Sequence, residues 1–311
     1  MTLLDSALVR MLPAVPRPVV KRLSDRYIAG PTLADACRVV KELNGRGRMA
    51  TIDVLGEEIH TREEATALVE EYQDVFETIR VQGLDSNVSV KPTGAGLKLD
   101  RGFCRESLAS IVRCAQEREN FVRIDMEDSS TTSDTLAVYR ELRAEGLERV
   151  GVVLQARLRR TVDDVADLAD LRPSVRLCKG IYLEPLEVAY EEPDEIRANF
   201  LRALDALLDA GAYVAVATHD DWLVEQALDR IERRGLGREE YEFQMLLGVR
   251  EALGDQLVNG GHRLRIYVPY GRRWYEYSMR RLQENPKIAT YVALDTIGRL
   301  RPRRNGGGAG A

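Results

Sequence analysis

A chain of 311 residues that is 44% hydrophobic and 31% charged has ample material for one large core, and its net charge of −5 argues against nucleic acid as the main partner, because phosphate binding needs a concentrated basic surface. No apolar run approaches the roughly 20 residues that span a bilayer, and the N-terminus lacks a secretory pattern, so a cytoplasmic protein without a transmembrane segment is expected. The four cysteines, Cys37, Cys104, Cys114 and Cys178, form no CxxC pair, and the three histidines, His60, His219 and His262, are too few for a histidine-rich metal site; an organic cofactor is the better match.

Residues 1–48 carry Leu3, Leu4, Val9, Leu12 and Val15 among Pro13, Pro16 and Pro18. They read as an N-terminal helical arm, which either caps the bottom of the following domain or meets a partner or membrane surface. From Met49 onward, β-rich runs alternate with helical stretches. The runs are MATIDVLG, NVSVKPTG, FVRIDMED, GVVLQAR, VRLCKGIY, AYVAVATHD, YEFQMLLG and LRIYVPYG. Between the fifth and sixth, Ile196, Phe200, Leu204 and Leu207 share one helical face that stops at Gly211. Such alternation predicts an α/β protein with a (β/α)8 TIM barrel over 49–300 rather than a doubly wound sheet. The Gly-rich segment 301–311 reads as a disordered tail.

In such a barrel the polar residues that close the strands face the active site. They are Asp53, Lys91, Asp125, Gln155, Arg176 with Lys179, Thr218 with His219, Gln244 and Tyr267. After the last strand, Arg280 and Arg281 follow Tyr277 by three and four residues, and Glu284 follows them at the same spacings, which are contact distances on a helix. Two guanidinium forks can hold one small carboxylate between them. The same residues also suit a solvated helix with an internal Arg/Glu pair. Asp53 and Asp125 equally suit structural pairing with Lys91, Gln155 a buried structural amide, and His219 a hydrogen-bonded strand end. Gly180, directly after Lys179, permits close backbone approach to a ligand. There is no GxGxxG fingerprint and no P-loop.

Taken together, VSVKPTG, RIDMEDS, VVLQA, RLCKGIY, ATHD and YVPYG followed by YxxRRxxEN closely resemble the flavin-dependent proline dehydrogenases of the compact monofunctional bacterial type, over roughly Met49 to Leu294. The resemblance implies a distorted (β/α)8 barrel with noncovalent FAD that oxidises L-proline to Δ1-pyrroline-5-carboxylate. It implies that Lys91, Arg280 and Arg281 hold the proline carboxylate, that Glu284 orients the arginines, that Asp125 supports the lysine and substrate network, and that Tyr182, Tyr267 and Tyr277 wall the proline ring. Asp125, Gln155, Arg176, Cys178, Lys179, Gly180, Thr218, His219 and Gln244 match flavin-contacting positions, with Arg176 directed at the reactive part of the ring. Arg157 stands where many members carry an aromatic residue, and Leu247 where longer relatives carry a histidine. The implied partners are a quinone-type electron acceptor at the inner face of the cell membrane and a separate pyrroline-5-carboxylate dehydrogenase, since no second catalytic domain is expected in the chain. The residues alone leave two competitors: a Schiff-base lyase or aldolase using Lys91, and a non-catalytic carboxylate-binding barrel.

Overall fold

The computed structural model describes residues 20, 21, 24, 26–56, 59–275 and 277–279. Arg280, Arg281, Glu284 and the predicted tail therefore lie outside the described residues, as does most of the apolar N-terminal stretch. The chain divides into two compact units, residues 26–273 and a smaller one drawn from 1–25 and 274–311.

The larger unit contains α1 (Leu33–Asn44), β1 (Met49–Val54), α2 (Arg62–Gln82), β2 (Ser86–Val90), α3 (Arg101–Glu117), β3 (Val122–Ile124), α4 (Ser129–Ala144), β4 (Val150–Gln155), α5 (Thr161–Leu168), β5 (Ser174–Cys178), α6 (Pro193–Asp209), β6 (Tyr213–Ala217), α7 (Asp221–Arg233), β7 (Tyr241–Leu246), α8 (Glu251–Asn259) and β8 (Leu264–Tyr270). The eight strands form a closed parallel barrel in chain order. It closes where β8 pairs with β1, from Met49 opposite Arg265 to Val54 opposite Tyr270. Every β-rich run of the sequence holds one of these strands, and the predicted fold class stands.

Local signals start and stop the helices. Thr32 and Asp35 form a reciprocal capping box at the start of α1, as Thr61 and Glu64 do for α2. Gly83, in the left-handed region, ends α2. Helix α1 precedes the first strand, within the segment read as an arm. Its apolar face, Ala36, Cys37, Val40 and Leu43, is buried, and the helix packs against β8 and β1. Just upstream, the Ala29 amide donates to the Pro269 carbonyl at 2.9 Å, tying the chain to β8.

Strand alternation sorts the side chains into two environments. One set, including Ile52, Val88, Ile124, Val152, Leu177 and Val216, joins the helices in a single buried apolar cluster. Each such side chain contributes about 1.5–3 kcal/mol on full burial. The alternate set fills the lumen, and there the barrel is charged rather than apolar. Arg123, Arg176, Arg265, Lys91, Asp53, Asp125 and Glu242 are all buried. Burial on that scale is tolerable only with close pairing or hydrogen bonding; six of these seven are ion-paired, and Arg123 is held by neutral acceptors. Low in the barrel, Arg265 Nε donates to both Glu242 oxygens at 2.9 and 3.1 Å, and Arg123 donates to the Val152 and Ser174 carbonyls at 3.0 and 2.5 Å.

In the smaller unit, Ser24 Oγ donates to the Val20 carbonyl at 2.8 Å and shares a 2.5 Å hydrogen bond with Ser278. Trp274 and Tyr275 meet edge to face at 5.7 Å. Tyr277 is buried there.

Candidate active site

The C-terminal ends of adjacent strands bring the lumen charges into one network. Register sets it up: Asp53 lies opposite Ser89 on β2, and Ser89 opposite Arg123 on β3. Lys91, at the end of β2, donates to Asp53 Oδ1 at 2.7 Å and to the Tyr267 hydroxyl at 3.3 Å, with Asp125 Oδ2 at 4.0 Å. Asp125 is the hub. Its Oδ1 accepts from Arg176 at 2.6 Å and from Ser89 at 3.0 Å, while its Oδ2 accepts from Tyr267 at 2.8 Å. Arg176 also donates through Nε to Gln244 at 2.5 Å and through Nη2 to Ser89 at 3.0 Å. Arg176 Cζ lies 5.2 Å from the Tyr267 ring centroid, while Lys91 meets the same side chain at its hydroxyl. Lys91, Asp125, Arg176, Gln244 and Tyr267, expected from the strand ends, are thus brought together, and Asp53 pairs with Lys91.

A second group lies over β3 to β5. Gln155 Nε2 donates to the Glu127 carbonyl at 2.7 Å. The Glu127 carboxylate in turn accepts from the Thr93 amide at 2.9 Å and the Thr93 hydroxyl at 2.6 Å. This fixes the orientation of the Gln155 amide and leaves its oxygen and one N–H for other contacts. Gly180 lies beside it with φ +91°, and a Cβ there would come 2.9 Å from Gln155 Oε1 and 3.3 Å from Arg157 Cβ. The glycine is required on both counts. Arg157 Nη1 donates to the Tyr182 carbonyl at 2.5 Å, so the departure from an aromatic residue at 157 anchors the loop that carries Tyr182. Cys178, partly exposed, points its thiol toward the Leu154 carbonyl at 3.7 Å.

The rim over β5 to β7 is cationic but ordered by one acid. Asp220 accepts from Lys179 at 2.5 Å and from Arg197 Nε at 2.9 Å. Burial alone would raise its pKa; the hydrogen bonds from Arg197 and Lys179 outweigh that and bring it down to about 2. Arg197 also lies 5.6 Å from the Trp222 ring centroid. Buried Thr218 accepts from the Asp220 amide at 3.2 Å, and Leu247, partly buried, donates from its amide to the Tyr267 carbonyl at 3.2 Å.

His219 is held neutral. Its Nε2 accepts from the Leu246 amide at 3.0 Å, and desolvation, helped by Arg250 and Lys179, lowers its pKa from 6.5 to about 4. An imidazolium cannot accept that bond. Between about 6.5 and about 4 the unfolded chain takes up a proton that the folded chain refuses, so this contribution to stability is fully present above 6.5 and lost as pH falls towards 4. Thermal midpoints measured across that window should decline, and His219→Gln, which keeps an acceptor without the titration, should flatten the decline. An unchanged slope would detach His219 from the pH response.

Residues 36–293 match the family model described as proline dehydrogenase. The chain belongs to the proline dehydrogenase family. It is 38% identical over 267 residues to proline dehydrogenase 1 of Bacillus subtilis (strain 168), covering 86% of this chain and 88% of that one. It is 37% identical over 274 residues to the proline dehydrogenase of Deinococcus radiodurans, covering 87% and 88%. A crystal structure of proline utilization A from Bdellovibrio bacteriovorus, inactivated by N-propargylglycine, superposes with a TM-score of 0.82 at 24% identity; the match takes in 94% of this chain but 38% of that longer chain, and it shows the shared barrel fold.

Several residues of this family member's network escape a reading based on strand ends. Ser89, Arg123, Glu242 and Arg265 lie inside strands, and Glu127 lies just past β3. Their signal is alternation: Ser89 is two before Lys91, Arg123 two before Asp125, Glu242 two before Gln244, and Arg265 two before Tyr267, so each shares a face with a residue already picked out. Tyr277 belongs to the smaller unit, and Arg280, Arg281 and Glu284 lie outside the described residues.

Proposed function

We propose that this protein oxidises L-proline to Δ1-pyrroline-5-carboxylate with noncovalently bound FAD and delivers the electrons to a quinone-type acceptor. The observation that carries the reading is the Lys91, Asp125, Arg176 and Tyr267 cluster at the barrel mouth of a proline dehydrogenase family chain. The residues present fit a flavin. Gly180 keeps the backbone low beside the Gln155 amide oxygen, and Arg176, Lys179 and neutral His219 offer donors and an uncharged ring on neighbouring strand ends. Bound FAD supplies the two-electron acceptor.

The chain's part is orientation. Lys91, with Arg280 and Arg281, would bind the substrate carboxylate, Glu284 would orient those arginines, and Tyr182, Tyr267 and Tyr277 would wall the ring and hold it in place for oxidation. The ring nitrogen must be unprotonated when the hydride leaves, which calls for no strong acid-base dyad beyond loss of the ammonium proton. Asp125 fixes Lys91, Tyr267 and Arg176 at once and so sets their mutual geometry. No described helix is long and apolar enough to cross a membrane; we place the protein in the cytoplasm, meeting its quinone at the inner membrane face and leaving the product to a separate pyrroline-5-carboxylate dehydrogenase.

An anaerobic absorption spectrum before and after L-proline tests this directly. The protein should be yellow, bleach on proline addition, and release its colour on acid precipitation. A colourless protein trapped by borohydride with a carbonyl substrate would favour the Schiff-base reading instead. The arginine clamp has its own test. Arg281→Met removes a charge-assisted bond of about 1.5–3 kcal/mol, a tenfold to hundredfold drop in kcat/KM for proline, with flavin retained. Proline kinetics like those of the wild type would remove Arg281 from the clamp.

A further inference from the structure

Among the buried ionisable groups that the proposed reaction does not use, Glu242 has the most specific surroundings. It lies on β7 two residues before Gln244, with 2% exposure. Its carboxylate accepts from Arg265 Nε at 2.9 and 3.1 Å, from the Tyr213 hydroxyl at 3.0 Å and from Gln244 Nε2 at 2.5 Å. Burial would favour its neutral form, but Arg265 more than offsets this and its pKa is lowered. Gln244 then has no choice of orientation. A carboxylate only accepts and a guanidinium only donates, so the amide must present Nε2 to Glu242 and Oε1 to Arg176, where the Oε1 to Nε distance is 2.5 Å. Turning the amide over would set oxygen against oxygen and N–H against N–H. A neutral or amide side chain at 242 would lift that constraint.

We propose that Glu242 is a positioning residue: by locking the Gln244 amide it holds the Arg176 guanidinium against Asp125 and Ser89, linking the lower charge layer of the lumen to the reaction site. The proposal rests on the flavin-dependent reading above, in which Arg176 faces the reactive part of the ring.

The holoprotein tests it through two variants and their combination. Gln244→Leu removes both bonds of the relay and leaves the Glu242 to Arg265 pair intact, whereas Glu242→Gln lets the amide turn. Each should lower the rate of flavin bleaching by saturating proline about tenfold, the size of one lost charge-assisted hydrogen bond, with a smaller change in KM. Each should also shift the midpoint potential of the bound flavin, measured by dye equilibration without substrate, in the same direction. The double variant should be no worse than either single one. Tyr213→Phe, which touches Glu242 away from Gln244, should leave the potential at its wild-type value. Additive losses in the double variant, or a wild-type potential and bleaching rate in Gln244→Leu, overturn the relay. Should Glu242→Gln fail to fold because Arg265 loses its carboxylate, Glu242→Asp, which keeps the charge but draws it back from Gln244 Nε2, takes its place, and a wild-type potential and bleaching rate there overturn the relay. A wild-type protein that holds flavin yet does not bleach with proline sinks the substrate reading, and the potentials still decide the relay.

Discussion

Asp125→Ala should abolish most proline oxidation, lowering kcat/KM by about a hundredfold or more, and should destabilise the protein by about 3–5 kcal/mol, the usual result of removing one partner from a buried ion pair. The size follows from what Asp125 touches. One carboxylate accepts from Arg176 at 2.6 Å, Tyr267 at 2.8 Å and Ser89 at 3.0 Å, with Lys91 at 4.0 Å. Alanine would leave Arg176 in the lumen with Gln244 and Ser89 but without its counter-charge, and would take one acceptor from the Tyr267 hydroxyl, so cation and ring would both be held less firmly. Asp125→Asn retains the shape and one acceptor oxygen, and its stability loss should be the smaller of the two. Urea unfolding gives the stability terms and steady-state kinetics with proline the catalytic ones. An Asp125→Ala protein with unchanged kcat/KM would falsify the hub role, whatever its stability.

The barrel was legible because each strand announces itself twice, through an apolar run and through the polar residue that ends it. Asp53, Lys91, Asp125, Gln155 and Gln244 are visible in that way without coordinates. Their pairing is not. Lys91 contacts Asp53 and Tyr267 because parallel register and closure between β8 and β1 set those strand ends side by side, and register is a property of the closed sheet rather than of any one strand. The lower charge layer was hidden for a different reason. Arg123, Glu242 and Arg265 sit at the alternate positions of strands whose apolar residues dominate the signal, and a lumen is normally filled by branched aliphatic side chains. Strand length was also overread: β3 is only Val122–Ile124, although the extended run continues to Asp128. Past Ile124 the strand ladder stops, although the Asp125 amide still reaches the Val90 carbonyl at 2.9 Å and the Glu127 carbonyl accepts from the Gln155 side chain at 2.7 Å. Helix α1 precedes the first strand and so falls within the arm by chain order; its contact with β8 is a long-range closure that chain order does not display.

The charged lumen sets the orientation of the site's side chains. A group such as Arg176, gripped by Gln244, Asp125 and Ser89, gains its orientation from partners on β2, β3 and β7, so the donors face the barrel mouth before a ligand arrives. Preorganised donors of this kind need not rearrange as charge develops. The same arrangement makes each charge depend on its neighbours for stability, which means that loss of activity in a lumen variant can have two origins.

Lys91→Met is the case in which the two can be separated. Its ammonium lies 2.7 Å from Asp53, a fully buried carboxylate, and 3.3 Å from the Tyr267 hydroxyl. Methionine keeps most of the aliphatic stem but takes the counter-charge from Asp53, for an expected loss of about 3–5 kcal/mol in stability. If Lys91 also binds the proline carboxylate, kcat/KM should fall by at least about tenfold, the equivalent of one charge-assisted bond. Adding Asp53→Asn removes the carboxylate that has lost this cation, and a neutral pair of similar volume is commonly tolerated in place of a buried ion pair. The double variant should therefore regain much of the lost stability in urea titrations while remaining as poor as Lys91→Met towards proline. Recovery of kcat/KM together with stability would mean that Lys91 serves only to neutralise Asp53, and the substrate carboxylate would then have to be held by other cations.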